Sequence, residues 1–356
     1  MGNSSGPCSA VRAMAGMRRD RGGTAAPGRH RSSRPPHAAW HHCRTMTTPR
    51  YPPDAGLRGT WYILPTPFDP AGELDTASLA RLVDGAIAWG VDGLTAMGVM
   101  AEPGSLTAAE REAALGAIVD AAAGRVPVAV GCSGATVSAV LENARQARRL
   151  GAAAAMVAAP QLLRNLDLLP GFFSAVAAGA GLPVIVQDEP AATGVIIPVS
   201  VLLACLAGAG ARTVKLEDPP TPPKIGRLLA ADPGLAVFGG LGGVAALWEL
   251  ERGACGTMTG FAYPEILRAV RLALESGDRV RAGRLFDRYL PLIAYEAQPI
   301  VGIAIRKELL RRRGALSHAG TRGLGGPLDR ATLDALDAVL DRLGMVPAIE
   351  PFAPAT

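Results

Sequence analysis

From about residue 59 the chain alternates short β-branched and apolar runs with longer stretches in which apolar residues return every three or four positions. The short runs predict strands at 61–66, 93–98, 127–132, 154–159, 183–188, 213–218, 235–239 and 256–260. The longer ones predict helices near 75–89, 107–122, 135–149, 169–180, 198–208, 222–231, 243–252 and 264–276. Leu79, Leu82, Val83 and Ile87 repeat at helical spacing and give the first helix one apolar face. Thr107 and Glu110 have the spacing of a capping box, and Gly90, Gly151 and Gly253 stand where helices end. Eight strand–helix units in succession predict an α/β fold, a (β/α)8 TIM barrel over 58–276, with a doubly wound sheet as the alternative. Helical patterns at 278–296, 298–313 and 329–343 predict a C-terminal helical extension over 277–345, followed by a tail at 346–356. Gly320 to Pro327 reads as a flexible connector within that extension.

Composition narrows the function classes. Of the 356 residues, 49% are hydrophobic, ample for a large core, while the apolar runs fall well short of the ~20 residues that span a bilayer. The formal charge of +5 belongs to residues 1–50, which hold nine arginines and one acid, Asp20. The rest is mildly acidic, so nucleic-acid binding by the folded part has no support. The Arg-, Pro- and Gly-rich leader has no apolar period and reads as disordered, with Met46 as a candidate start. Five scattered cysteines without a CxxC pair suit a reducing compartment, and a cytoplasmic location is expected. Four of the five histidines precede residue 50, leaving His318 alone in the body, too few for a histidine-ligated metal centre or a Ser-His-Asp triad.

Candidate chemistry centres on lysine. Of 36 Lys and Arg side chains only three are lysines, Lys215, Lys224 and Lys307, so a position that stays lysine asks for something arginine lacks. An amine can shed its proton, attack a carbonyl and form a Schiff base, and burial disfavours its charged form. Lys215 lies in the apolar run Thr213 to Asp218, and period-2 alternation puts Glu217 on its face of the strand. An ion pair and a reactive amine with a proton shuttle both fit that pairing. If the barrel is right, strand C-terminal ends carry the chemistry. The second ends in Gly98-Val99-Met100-Ala101-Glu102, whose backbone amides can bind a carboxylate while Glu102 faces the mouth. The seventh runs into Gly239 to Gly243, an anion-cradling type of loop that tight packing explains equally well. Gln187 ends the fifth strand, and Arg164 follows the fourth as a candidate for a substrate carboxylate.

Together these residues resemble the dihydrodipicolinate synthase / N-acetylneuraminate lyase family of Schiff-base barrels. The resemblance covers about 58–313 and rests on Leu64-Pro65-Thr66-Pro67-Phe68, the G-x-x-x-E turn at Gly98 to Glu102, the Val214-Lys215 strand and the Gly253 to Gly260 segment. It implies an imine between Lys215 and a 2-oxo acid, and carboxylate binding by the Gly98-Val99-Met100 backbone. Two departures stand out: Val99 and Met100 replace paired hydroxyl residues, and Pro160-Gln161-Leu162 replaces a Pro-Tyr-Tyr pattern that carries a catalytic tyrosine. Val186 to Pro190, Lys215-Leu216-Glu217, Gly256 to Gly260 and Leu290 to Ile293 look like the branch containing 2-keto-3-deoxy-L-arabonate dehydratase. The expected function is a lyase that dehydrates or cleaves a 2-keto-3-deoxy sugar acid. Lys215, Glu217 and Glu102 are its expected catalytic residues, and Gly98, Val99, Met100, Gln187, Arg164, Gly240 and Met258 its binding residues. The covalent lysine imine is expected to serve without cofactor or metal, and the family implies a homo-oligomer, dimer or tetramer. The alternatives are a pyruvate-condensing aldolase such as 4-hydroxy-tetrahydrodipicolinate synthase and a catalytically silent sugar-acid-binding barrel.

Overall fold

A computed structural model describes residues 57–161, 163–323 and 326–356. The expectations for residues 1–50, for a start at Met46 and for Leu162 lie outside the described residues. Eight parallel strands close into a barrel in chain order: β1 Gly59–Ile63, β2 Gly93–Ala96, β3 Val128–Gly131, β4 Ala154–Ala158, β5 Val184–Asp188, β6 Thr213–Leu216, β7 Ala236–Gly239 and β8 Gly256–Thr259. β1 pairs β8 from Gly59↔Gly256 to Tyr62↔Thr259, which completes the ring. The doubly wound alternative is excluded by that closure. The first strand stops at Ile63, short of its apolar run, ahead of Pro65 and Pro67, which carry no N–H for a ladder, and it starts earlier, where Gly59 N–H donates to Cys255 O.

Helices α1 Thr76–Ala88, α2 Ala108–Ala122, α3 Val137–Arg149, α4 Leu169–Ala180, the single turn α5 Pro190–Thr193, α6 Val199–Ala209, α7 Thr221–Ala231, α8 Ala246–Glu251 and α9 Pro264–Glu275 surround the barrel. The Thr107–Glu110 capping box is formed in both directions, and Gly90, Gly151 and Gly253 take positive φ just past helix ends. The extension is α10 Arg279–Glu296, α11 Gly302–Arg312 and α12 Arg330–Leu343. Among the described residues no helix is long and apolar enough to cross a membrane.

Two apolar clusters divide the core. The larger fills the space between strands and helices, while Trp61, Ile63, Met100, Met156, Ile185, Phe238 and Met258 fill the barrel interior. Trp61 meets Phe238 edge-on at 5.9 Å and lies where a Cβ on Gly93 would stand, so the interior is packed rather than hollow. Ile303 of α11 packs on this interior cluster, which brings the extension over the barrel mouth.

The connector expectation needs correcting. Residues 320–323 are pinned: Gly320 O accepts from Lys307 Nζ at 2.9 Å, and the N–H groups of Arg322 and Gly323 donate to Glu102 Oε2 at 2.8 and 2.5 Å. Gly and Thr suggested freedom, but a buried carboxylate supplies acceptors that fix this backbone.

Candidate active site

All three lysines are buried, and their partners tell them apart. Lys224 Nζ donates to Asp188 Oδ2 at 2.5 Å, Ile197 O at 2.6 Å and Asp218 Oδ2 at 2.7 Å, which uses all three of its N–H bonds. Lys307 Nζ meets Glu102 Oε1 at 2.5 Å and Gly320 O, and lies 4.5 Å from the Phe68 ring centre. Lys215 Nζ has one hydrogen-bond partner, Glu217 Oε2 at 2.6 Å. Two of the three positions stay lysine because a compact three-donor ammonium fits a small buried cage better than a planar guanidinium. Lys215 keeps two donors to spare among the described residues, whereas the third donor of Lys307 lies over the Phe68 ring.

Strand register builds the rest of the centre. Lys215 on β6 pairs with Gln187 on β5, so both face inward in one layer, and two residues on, Glu217 and Glu189 form the next. Gln187 Nε2 bridges them, donating to Glu217 Oε2 at 2.9 Å and Glu189 Oε2 at 2.6 Å. Leu241 N–H donates to Glu217 Oε1 at 3.2 Å. Burial, and after it the charge of Glu217, pushes the Glu189 carboxyl up to about 7, against the opposing pull of Lys215 and of the Gln187 amide. Asp188, facing outward to Lys224, is pushed up to about 6 by burial.

The glycine-rich loop after β7 is a packing device. A Cβ on Gly239 would strike Glu249 Oε2, one on Gly240 would stand 2.4 Å from Glu217 Cγ, and one on Gly242 would meet Arg306 Nη2 at 2.6 Å. Gly240 therefore makes room for the Glu217 side chain. Met258 is fully buried and belongs to the interior cluster that also holds Met100. Gly98 and Met100 are buried and Val99 is exposed in a 3-10 turn flanked by Met97 and Glu102, both left-handed. Arg164 is exposed on the surface, and no hydrogen bond or ion pair ties it to the centre. Glu102 is bonded away from the lysine centre: both carboxylate oxygens accept from Lys307 and the 322–323 amides, and no hydrogen bond or ion pair among the described residues joins it to Lys215. Among the described residues no group of three or more His, Cys, Asp or Glu could hold a metal ion.

The comparisons agree with this architecture. Residues 57–342 match the model of the dihydrodipicolinate synthetase family. The chain belongs to that family. One relative, the L-2-keto-3-deoxyarabonate dehydratase of Azospirillum brasilense, is 31% identical over 287 residues, covering 78% of this chain and 90% of that protein. Another, the 4-hydroxy-tetrahydrodipicolinate synthase of Thermomicrobium roseum, is 33% identical over 251 residues, covering 66% of this chain and 78% of its own. The crystal structure of dihydrodipicolinate synthase from Rhodopseudomonas palustris superposes with a TM-score of 0.78 at 33% identity, over 83% of this chain and all of that one. The chain is accordingly a lyase of the dihydrodipicolinate synthetase family.

Two side chains of this family member went unassigned in the sequence. Glu189 stands two residues past Gln187 as Glu217 stands two past Lys215, so the same alternation points it to the mouth. Arg306, one turn past Ile303 on α11, has no comparable local signal. Its Nη1 approaches Met100 Sδ at 3.0 Å, and its Nε, 3.5 Å from Glu296 Oε2, makes no hydrogen bond. Burial works against the Arg306 charge, while Glu296, Tyr62 and Glu217 support it; burial also pushes Glu296 up to about 7.

Proposed function

We propose that this protein is a class I lyase in which Lys215 forms a Schiff base with a 2-oxo acid and that its reaction is dehydration of a 2-keto-3-deoxy sugar acid. The observation that carries this reading is the partnering of the lysines: Lys215 makes one hydrogen bond where Lys307 makes two and Lys224 three, and its partner is a carboxylate 2.6 Å away that can receive its proton. Attack of the amine on the C2 carbonyl gives an iminium, an electron sink that acidifies C3. Glu217, held by Lys215, Gln187 and Leu241, is placed to take the C3 proton. The C1 carboxylate is expected at the Gly98-Val99-Met100 turn, where Val99 and Met100 offer no side-chain donor. Arg306, whose Nη1 touches only the thioether of Met100, supplies the missing cation there. The imine itself supplies the chemistry that a cofactor provides elsewhere. Cytoplasmic location and assembly of several copies belong to the same reading.

The likeness to the Azospirillum brasilense dehydratase supports dehydration, and the Glu189–Glu217 pair at the mouth suits it. A condensing reaction with pyruvate is the second reading, supported by the synthase relatives. Borohydride trapping with pyruvate and with 2-keto-3-deoxy sugar acids, read by intact mass, tests the imine. Absence of a trapped adduct with every 2-oxo acid would leave a silent binding barrel. Product analysis of the trapping substrates separates water loss from C–C bond formation.

A further inference from the structure

We propose that Glu189 is the general acid of this site, donating its proton to the C4 hydroxyl of the imine-bound deoxy sugar acid as that hydroxyl departs. The inference rests on the lyase reading above and assigns the group that a dehydration needs besides its base.

The two mouth carboxylates live in unlike surroundings. Glu217 receives three donors, from Lys215, Gln187 and Leu241, an arrangement that suits a carboxylate acting as base. Glu189 receives one, from Gln187, and its Oε1 makes no hydrogen bond among the described residues and is not sealed from solvent. Its backbone is fixed, since Glu189 O accepts from Thr193 N at 3.1 Å and Thr193 Oγ1 at 2.9 Å where the α5 turn begins. The side chain therefore stands on a rigid pivot beside the reacting centre. Burial and the neighbouring Glu217 charge raise the Glu189 carboxyl to about 7, which favours its protonated form. Two neighbouring carboxyl groups with unlike hydrogen-bond partners can divide acid and base roles.

The candidates for the same task are otherwise engaged. Glu102 is spent on Lys307 and the 322–323 amides. His318, the one histidine among the described residues, faces its own Gly320 N–H at 3.2 Å. Asp188 is turned outward to Lys224.

The step balances without a further reagent. Glu217 removes a C3 proton and the iminium becomes an enamine. The enamine electron pair then forms the C3–C4 double bond and restores the iminium while the C4–O bond breaks. The departing oxygen takes the Glu189 proton and leaves as water. Solvent at the mouth returns a proton to Glu189 and receives the one on Glu217, so the net loss is one water molecule.

The test uses the full chain, a 2-keto-3-deoxy sugar acid, its analogue with chloride at C4, and pyruvate. In Glu189→Gln, borohydride trapping of the pyruvate imine and deuterium wash-in at C3 should stay within about twofold, while water elimination falls by roughly 10²–10⁴-fold, the range for a positioned general acid. Chloride, which leaves without a proton, should be released at close to the unaltered rate. Glu189→Ala should recover water elimination in formate buffer, which keeps the question decidable if the Gln variant folds poorly. Water elimination at the unaltered rate in Glu189→Gln overturns the proposal. So does an equal loss of chloride release, which would make Glu189 a substrate-positioning group. Failure of the unaltered protein to trap any 2-oxo acid is a different result and removes the lyase reading itself.

Discussion

Lys215 on β6 and Glu217 just past its end are bonded at 2.6 Å, and among the described residues the other hydrogen-bond donors to that carboxylate are the Gln187 amide and the Leu241 N–H. The pair separates into two experiments because one partner carries the covalent chemistry and the other carries protons. Lys215→Arg keeps the charge and the ion pair but cannot form an imine, so borohydride adducts and turnover should both vanish with thermal stability little changed. Turnover by the Arg variant would remove Schiff-base chemistry. Glu217→Gln should still trap imine while C3 deuterium wash-in and turnover fall by ~10²–10⁴-fold. Undiminished exchange in that variant would reduce Glu217 to a structural partner.

Arg306 is expected to act on binding. Its loss removes a charge-assisted contact worth about 1.5–3 kcal/mol, so Arg306→Gln should raise the KM for 2-oxo acids by roughly 10–100-fold with kcat largely retained. Steady-state kinetics with pyruvate analogues checks this. An unchanged KM would place the carboxylate elsewhere.

Glu102 and Lys307 form a buried pair whose separation leaves an unpaired charge. Glu102→Gln should cost on the order of 3–5 kcal/mol in chemical denaturation, while imine trapping below the unfolding transition persists. Retained stability with lost turnover would instead restore Glu102 to the chemistry.

Glu249 contributes a pH-dependent term. Burial first pushes this carboxyl up to about 7, the Thr221 hydroxyl bonded at 2.5 Å opposes the rise, and the charge of Glu217 adds to it. A group with a higher pKa folded than unfolded binds more protons when folded. Its contribution is thus complete below about 4.5, declines as pH rises towards 7, and is gone above that. Glu249→Gln should flatten the fall of Tm between those limits, by an amount on the order of 3 kcal/mol in stability. A Tm–pH curve identical to that of the unaltered protein would show that Glu249 is not responsible.

The barrel was legible because each element stated its period locally. All eight predicted strands and the helices between them exist, with ends displaced by a few residues. The pairing of Lys215 with Glu217 followed from alternation alone, and the same rule applied to Gln187 would have found Glu189. The scarcity of lysine was a coarser guide than it looked, since it marks three buried ammonium sites of which two are cages. The glycine loop after β7 was ambiguous in sequence because its purpose depends on Glu217, Glu249 and Arg306, which arrive from other elements. The partners of Glu102 were not legible for a related reason: Lys307 lies 205 residues away, and no local pattern reports a contact of that range.

The anchoring of Glu102 by Lys307 and residues 322–323 also bears on how this site can be recombined. The turn that begins at Gly98 is the product of two distant stretches of chain, one on β2 and one around α11. A chimera that exchanges residues 98–102 with those of a barrel lacking the glutamate, but keeps 303–323, would leave the Lys307 ammonium and the 322–323 amides without their carboxylate. Exchange of both stretches together should preserve the turn, so loop grafting at this mouth has a minimum unit of two segments.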